Sequence, residues 1–122
     1  MDGNVMQDRQ IVEAAEVVHR RLGKRRPLED YEYELTEELR MRGIGIRKTQ
    51  RTQILFGNSR IGVYLSDLIL DGQTLIEIKR ADHLTESEKE AFGAFIKEVR
   101  YQRGYLMNFA ADDLEVEQFA AK

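Results

Sequence analysis

The chain has no cysteine and only one proline among its 122 residues. Without cysteine there is no disulfide framework, no thiolate zinc site and no cysteine nucleophile; the absence fits a reducing compartment. No apolar run approaches the ~18 residues that a membrane span needs. Residues Met1 to Asp8 are polar and acidic, without the apolar stretch of a secretory leader. We therefore expect a cytoplasmic protein. Internal repeats, low-complexity tracts and Pro/Gly/Ser-rich linkers are also missing, so one domain spanning 1–122 is expected.

Histidine is scarce as well, with His19 and His83 alone. His19 lies beside a helical apolar stripe, where a lone histidine is more often structural than a ligand. His83 falls in a loop before a helix, without metal-like spacing to other residues. Neither supports a zinc site.

What is present describes a soluble globular chain. Apolar residues make up 42% and charged ones 34%, enough for a core beneath a highly charged surface. The net charge is −3, but its distribution is uneven. Basic residues gather in the first half at Arg20, Arg21, Lys24, Arg25, Arg26, Arg40, Arg42, Arg47, Lys48 and Arg51. Acidic ones mark the tail at Asp112, Asp113, Glu115 and Glu117. A local basic surface can bind phosphates on a net-acidic protein; ordinary solvated helix faces explain the first cluster equally well.

Periodicity predicts a helix from about Asp8 to Leu22, with Ile11, Ala14 or Ala15, Val18 and Leu22 on its apolar stripe and Gly23 ending it. Pro27 suits the first turn of a second helix from Leu28 to Arg42, buried through Leu28, Tyr31, Leu35 and Leu39 and stopped by Gly43. The Tyr31 hydroxyl should find a partner at the core edge. Short strands are expected over Ile44 to Lys48 and Arg51 to Phe56, followed by a turn at Gly57, Asn58 and Ser59. Thr85 and Glu88 form a capping box that opens a third helix, buried through Phe92, Phe95, Ile96 and Val99. Gly104 to Phe109 reads as a buried strand. Leu114 to Phe119 alternates as an edge strand does.

Between these elements, Tyr64 to Leu70 and Thr74 to Arg80 flank an Asp-Gly turn signal and predict a β-hairpin. Alternation puts Glu77 and Lys79 on one face and Ile76 and Ile78 on the other. A three-residue loop, Asp71 to Gln73, pairs Leu70 with Thr74 and Asp67 with Glu77; a two-residue loop would turn Asp67 to the opposite face. We take the odd loop. Two carboxylates opposed with Cβ atoms about 4.5 to 5.5 Å apart repel and destabilise a hairpin. Either a cation such as Mg²⁺ offsets that repulsion, or this is a solvated face with Glu77 paired to Lys79.

The resulting order is α-α-β-β-β-β-α-β-β. A crossover helix between strands implies an α/β (α+β) domain with a mixed sheet and helices packed on it.

This order, with Asp in one strand and Glu-x-Lys in the next, resembles the PD-(D/E)xK nuclease superfamily with its restriction-endonuclease-like fold, and within it the GxxExxY family. The residues that carry the resemblance are Val18 to Gly23, Tyr31, Glu38 to Ile44, Asp67, Glu77 to Lys79, Leu84 with Thr85, and Gly104 to Phe109. The resemblance implies Asp67, Glu77 and the Ile78 carbonyl as ligands of a catalytic Mg²⁺ or Mn²⁺, and Lys79 as the group that orients water and counters phosphorane charge. It implies a nuclease acting on DNA or RNA, with a homodimer or higher homo-oligomer as one way to grip a duplex. The name-giving Gly and Glu of the family fall on Arg25 and Leu28, leaving Tyr31, so that motif is degenerate. The family's Gln in the helix after Glu-x-Lys falls on Ala91. A catalytically degenerate nucleic-acid-binding or assembly module on the same fold is the alternative.

Overall fold

The computed structural model describes residues 2–48, 55–56, 59–60, 67–70, 73–98 and 100–120, with backbone alone at 2–6, 47–48, 55–56, 59–60 and 67. The expected positions 51–54, Gly57, Asn58, 64–66, Asp71, Gly72 and Val99 lie outside the described residues.

The first helix, α1 (Asp2–Leu22), buries Ile11, Ala14, Ala15 and Val18 completely, as its 3.6-residue spacing requires. It begins earlier than periodicity indicated. Gln7 and Asp8, ahead of the apolar stripe, are bonded to Arg103. The second helix, α2 (Leu28–Met41), buries Tyr31, Leu35, Thr36 and Leu39. Pro27 stands just before it as the N-cap residue, with φ −62° and ψ 156°. Gly23 and Gly43 follow the two helices at φ 76° and 80°, the left-handed backbone that glycine adopts at helix ends.

Five strands follow before the third helix: β1 (Ile46–Lys48), β2 (Leu55–Phe56), β3 (Ser59–Arg60), β4 (Asp67–Leu70) and β5 (Thr74–Lys79). Then come α3 (Glu86–Glu98), β6 (Arg103–Asn108) and β7 (Glu115–Ala120). The expected order holds with one addition, since β3 occupies what read as the end of a turn. Among the described residues it pairs with β2 alone, as a separate two-stranded ribbon too short for alternation to register in sequence.

The main sheet runs β1-β4-β5-β6-β7, with β5 and β6 parallel and the other neighbours antiparallel. This is the mixed sheet that a crossover through α3 demands. Its two faces carry different helices. Leu68, Leu70, Ile76, Ile78, Tyr105 and Met107 pack with the stripes of α1 and α2. Ile69, Leu75 and Leu106 pack with Phe92 and Ile96 of α3. α3 comes close to the sheet because β6 carries Gly104 beneath it: a Cβ there would lie 2.5 Å from the Ile96 Cδ1.

Tyr31 ties the first face together. It is fully buried and stacks on Phe109 at 4.8 Å, while its hydroxyl donates to the Gly23 carbonyl at 2.5 Å and accepts from the Arg26 N–H. The expected partner at the core edge is thus the end of α1.

Candidate active site

The hairpin takes the odd-loop register. Leu70 stands opposite Thr74 and Asp67 opposite Glu77, and the Gln73 N–H closes the turn onto the Leu70 carbonyl at 3.1 Å. The Lys79 carbonyl accepts from the Phe109 N–H at 3.2 Å, so the backbone polar groups of Lys79, and by alternation those of Glu77, point toward β6. Asp67 and Glu77 are therefore a pair without mutual backbone hydrogen bonds, the narrower kind, with Cα atoms about 4.5 Å apart. The same alternation turns the Ile78 carbonyl toward the β4 side of the strand.

Two rows of residues cross the sheet on the α3 side. Asp67, Glu77, Leu106 and Glu117 form one; Lys79, Asn108 and Glu115 form the next. Glu77 is only 5% exposed, on the face that also carries the apolar cluster of Ile69, Leu75 and Leu106. Lys79 reaches α3 and donates to Glu88 Oε2 at 3.0 Å. The sequence marked Glu88 as half of a capping box, and that box forms: Glu88 Oε1 accepts from the Thr85 N–H at 3.0 Å, and the Glu88 N–H donates to Thr85 Oγ1 at 3.1 Å. Its second oxygen was invisible to local pattern because Lys79 arrives from another element. Burial by itself pushes the Glu88 carboxyl up, but the Thr85 N–H and the Lys79 ammonium outweigh it and hold the group below the usual carboxylate range.

Behind Lys79, the loop between β5 and α3 is fixed from β6 and β7. Asn108 is fully buried, and its Oδ1 accepts from the N–H groups of Ala81 and Ala110. Its Nδ2 donates to the Ala81 carbonyl at 2.8 Å and to Glu115 Oε1 at 2.9 Å. Glu115 Oε1 also accepts from the Leu84 N–H, and its other oxygen pairs with His83 at 3.0 Å. The bond from Asn108, with that from His83, lowers the Glu115 carboxyl to about 2 despite its burial. Glu115 in turn raises the His83 value. The alternating pattern placed Glu115 in an edge strand and gave no signal of this role.

The histidines are structural. His19 Nε2 donates to the Ala111 carbonyl at 3.1 Å beside Phe109, and exposed His83 serves Glu115. Among the described residues no three His, Cys, Asp or Glu side chains gather to hold a metal ion. Asp67 and Glu77 are carboxylate residues opposed in the register of β4 and β5, and carboxylate oxygens are the donors that a hard cation takes.

The basic cluster is largely neutralised where it is described. Arg21 pairs with Glu34 and Glu38, Lys24 with Asp112, Arg26 with Asp30, Arg40 with Glu37, and Arg42 with Glu38 and Glu13. These pairs tie α1 to α2, join loops, or lie within or at the ends of α2. They favour the solvated-face reading of that cluster.

The sequence profile of the PD-(D/E)XK nuclease superfamily matches residues 6–119. The chain belongs to that superfamily. Comparison with curated proteins and with solved structures gives no match. Nucleases of the PD-(D/E)XK superfamily typically use divalent metals. In this member Asp67 and Glu77 are opposed across β4 and β5, and Lys79 at the end of β5 reaches Glu88 of α3. No helix among the described residues is long and apolar enough to cross a membrane.

Proposed function

We propose that the chain is a metal-dependent nuclease-like domain of the GxxExxY branch, hydrolysing phosphodiester bonds of DNA or RNA. The observation that carries this reading is the register of the hairpin: Asp67 is opposed to Glu77, and Lys79 lies two residues along on the same strand face. Asp67, Glu77 and the Ile78 carbonyl would hold Mg²⁺ or Mn²⁺. When bound, such an ion supplies charge that polarises a phosphoryl oxygen and acidifies water. Lys79 would counter the negative charge that develops on the phosphorus oxygens and orient the attacking water. The burial of Glu77 limits competition from bulk solvent for its charge.

The experiment is a cleavage assay over single- and double-stranded DNA and RNA with Mg²⁺ or Mn²⁺. Cleavage that requires the ion and disappears in Lys79→Ala is expected. An absence of cleavage above that variant's background across the panel would end the enzymatic reading.

A second reading has its own observation. Leu28, at the position of the family's helix carboxylate, packs against the apolar cluster of α1 and α2, and Ala91 on α3 is exposed. A chain lacking both groups could bind nucleic acid without cutting it. That reading expects binding which weakens steeply with salt and survives Asp67→Asn; salt-insensitive binding would count against it.

A further inference from the structure

Lysine carries its charge on a flexible four-carbon stem, so a lysine that must meet one developing charge needs something to aim it. In this chain the ammonium of Lys79, half-buried on β5, meets Glu88 Oε2 at 3.0 Å. Glu88 is itself held. Its other oxygen accepts from both the N–H and the hydroxyl of Thr85, and its own N–H returns a bond to Thr85. One carboxylate thus links the start of α3 to the end of β5. The loop between them is pinned separately, through Ala81 by Asn108 and through Leu84 by Glu115.

We propose that Glu88 is the positioning residue for Lys79, using one oxygen to start the helix and the other to fix the ammonium. The proposal rests on the reading of Lys79 as part of the reaction centre. It assigns Glu88 no contact with the substrate. The pair is only partly shielded, so its value lies in direction rather than in net stabilisation.

Glu88→Gln separates the two functions. Glutamine also completes a capping box, so the Oε1 bonds and the helix start remain, while an amide nitrogen replaces the acceptor facing Lys79. The first readout is acetylation of lysines by an N-hydroxysuccinimide acetate, mapped by mass spectrometry on the whole protein. Lys79 labelling should rise roughly threefold in Glu88→Gln, with exposed Lys97 as the unchanged reference. The second is metal-dependent cleavage, in which kcat should fall roughly tenfold to a hundredfold at unchanged KM. Thr85→Ala is the control for the helix start: it should lower the melting temperature and leave Lys79 labelling near the wild-type level.

Unchanged Lys79 labelling in Glu88→Gln overturns the proposal, as does labelling that rises equally in Thr85→Ala. An unchanged kcat in an actively cleaving protein also overturns it and leaves the metal-site reading standing. If the wild type does not cleave, the nuclease reading fails instead, and the labelling result alone decides whether Glu88 holds Lys79.

Discussion

Asp67 and Glu77 stand directly opposite one another across β4 and β5, in a pair without mutual backbone hydrogen bonds. Opposed like charges at this spacing cost a hairpin stability. Asp67→Asn should therefore leave the metal-free protein at least as stable as wild type, with a gain on the order of 0.2–1 kcal/mol. With Mg²⁺ at a hundredfold excess over its dissociation constant the wild type should gain about 2.7 kcal/mol, and the variant far less. Thermal unfolding with and without Mg²⁺ checks both halves. Equal metal responses would contradict the assignment.

Asn108 makes four hydrogen bonds from a fully buried position, two of them to the backbone of Ala81. Asn108→Ala removes them all and leaves buried backbone groups unpaired, at a cost of about 2–4 kcal/mol. Denaturant unfolding measures this. A loss below about 1 kcal/mol would mean that the loop after β5 holds its place without Asn108.

Glu115 gives a pH dependence whose sign follows from its lowered value. The carboxyl is held at about 2 against an ordinary 4.5, so the folded state favours the charged form. Its contribution is fully present above pH 4.5 and fades as pH falls toward 2. The stability gap between wild type and Glu115→Gln should be widest near pH 6 and should narrow below pH 4.5. Denaturant midpoints across that range test it; a gap independent of pH would refute the carboxylate's role.

Gly104 is where β6 and α3 come closest. A Cβ there would lie 2.5 and 2.7 Å from Ile96 and 2.9 Å from Phe92, both buried. Gly104→Ala should destabilise by about 1–3 kcal/mol through overpacking, seen as a lower denaturant midpoint. A neutral result would show that α3 can shift outward freely.

These residues also show what the sequence could and could not reveal. The position of Asp67 turned on the loop length, since the sequence allowed two registers; the three-residue loop taken there is the one in the structure. The stripes of α1 and α2 were legible from their spacing, and so was the Thr85–Glu88 box. The Lys79–Glu88 contact was not, because it joins β5 to the crossover helix, nor was the Asn108–Glu115 bond, because it depends on the register of β6 against β7. The bonds of Gln7 and Asp8 to Arg103 were not legible, because Arg103 lies 95 residues from Asp8 along the chain. The ion pairs that occupy Arg21 and Arg42 depend on how α1 lies against α2, which composition cannot express.

The most direct test of the central claim is anomalous diffraction from a crystal soaked in Mn²⁺. The account predicts a single strong peak bridging the carboxylates of Asp67 and Glu77 beside the Ile78 carbonyl, absent in Glu77→Gln. No peak between those carboxylates at saturating Mn²⁺, or a peak there that persists in the variant, would contradict it.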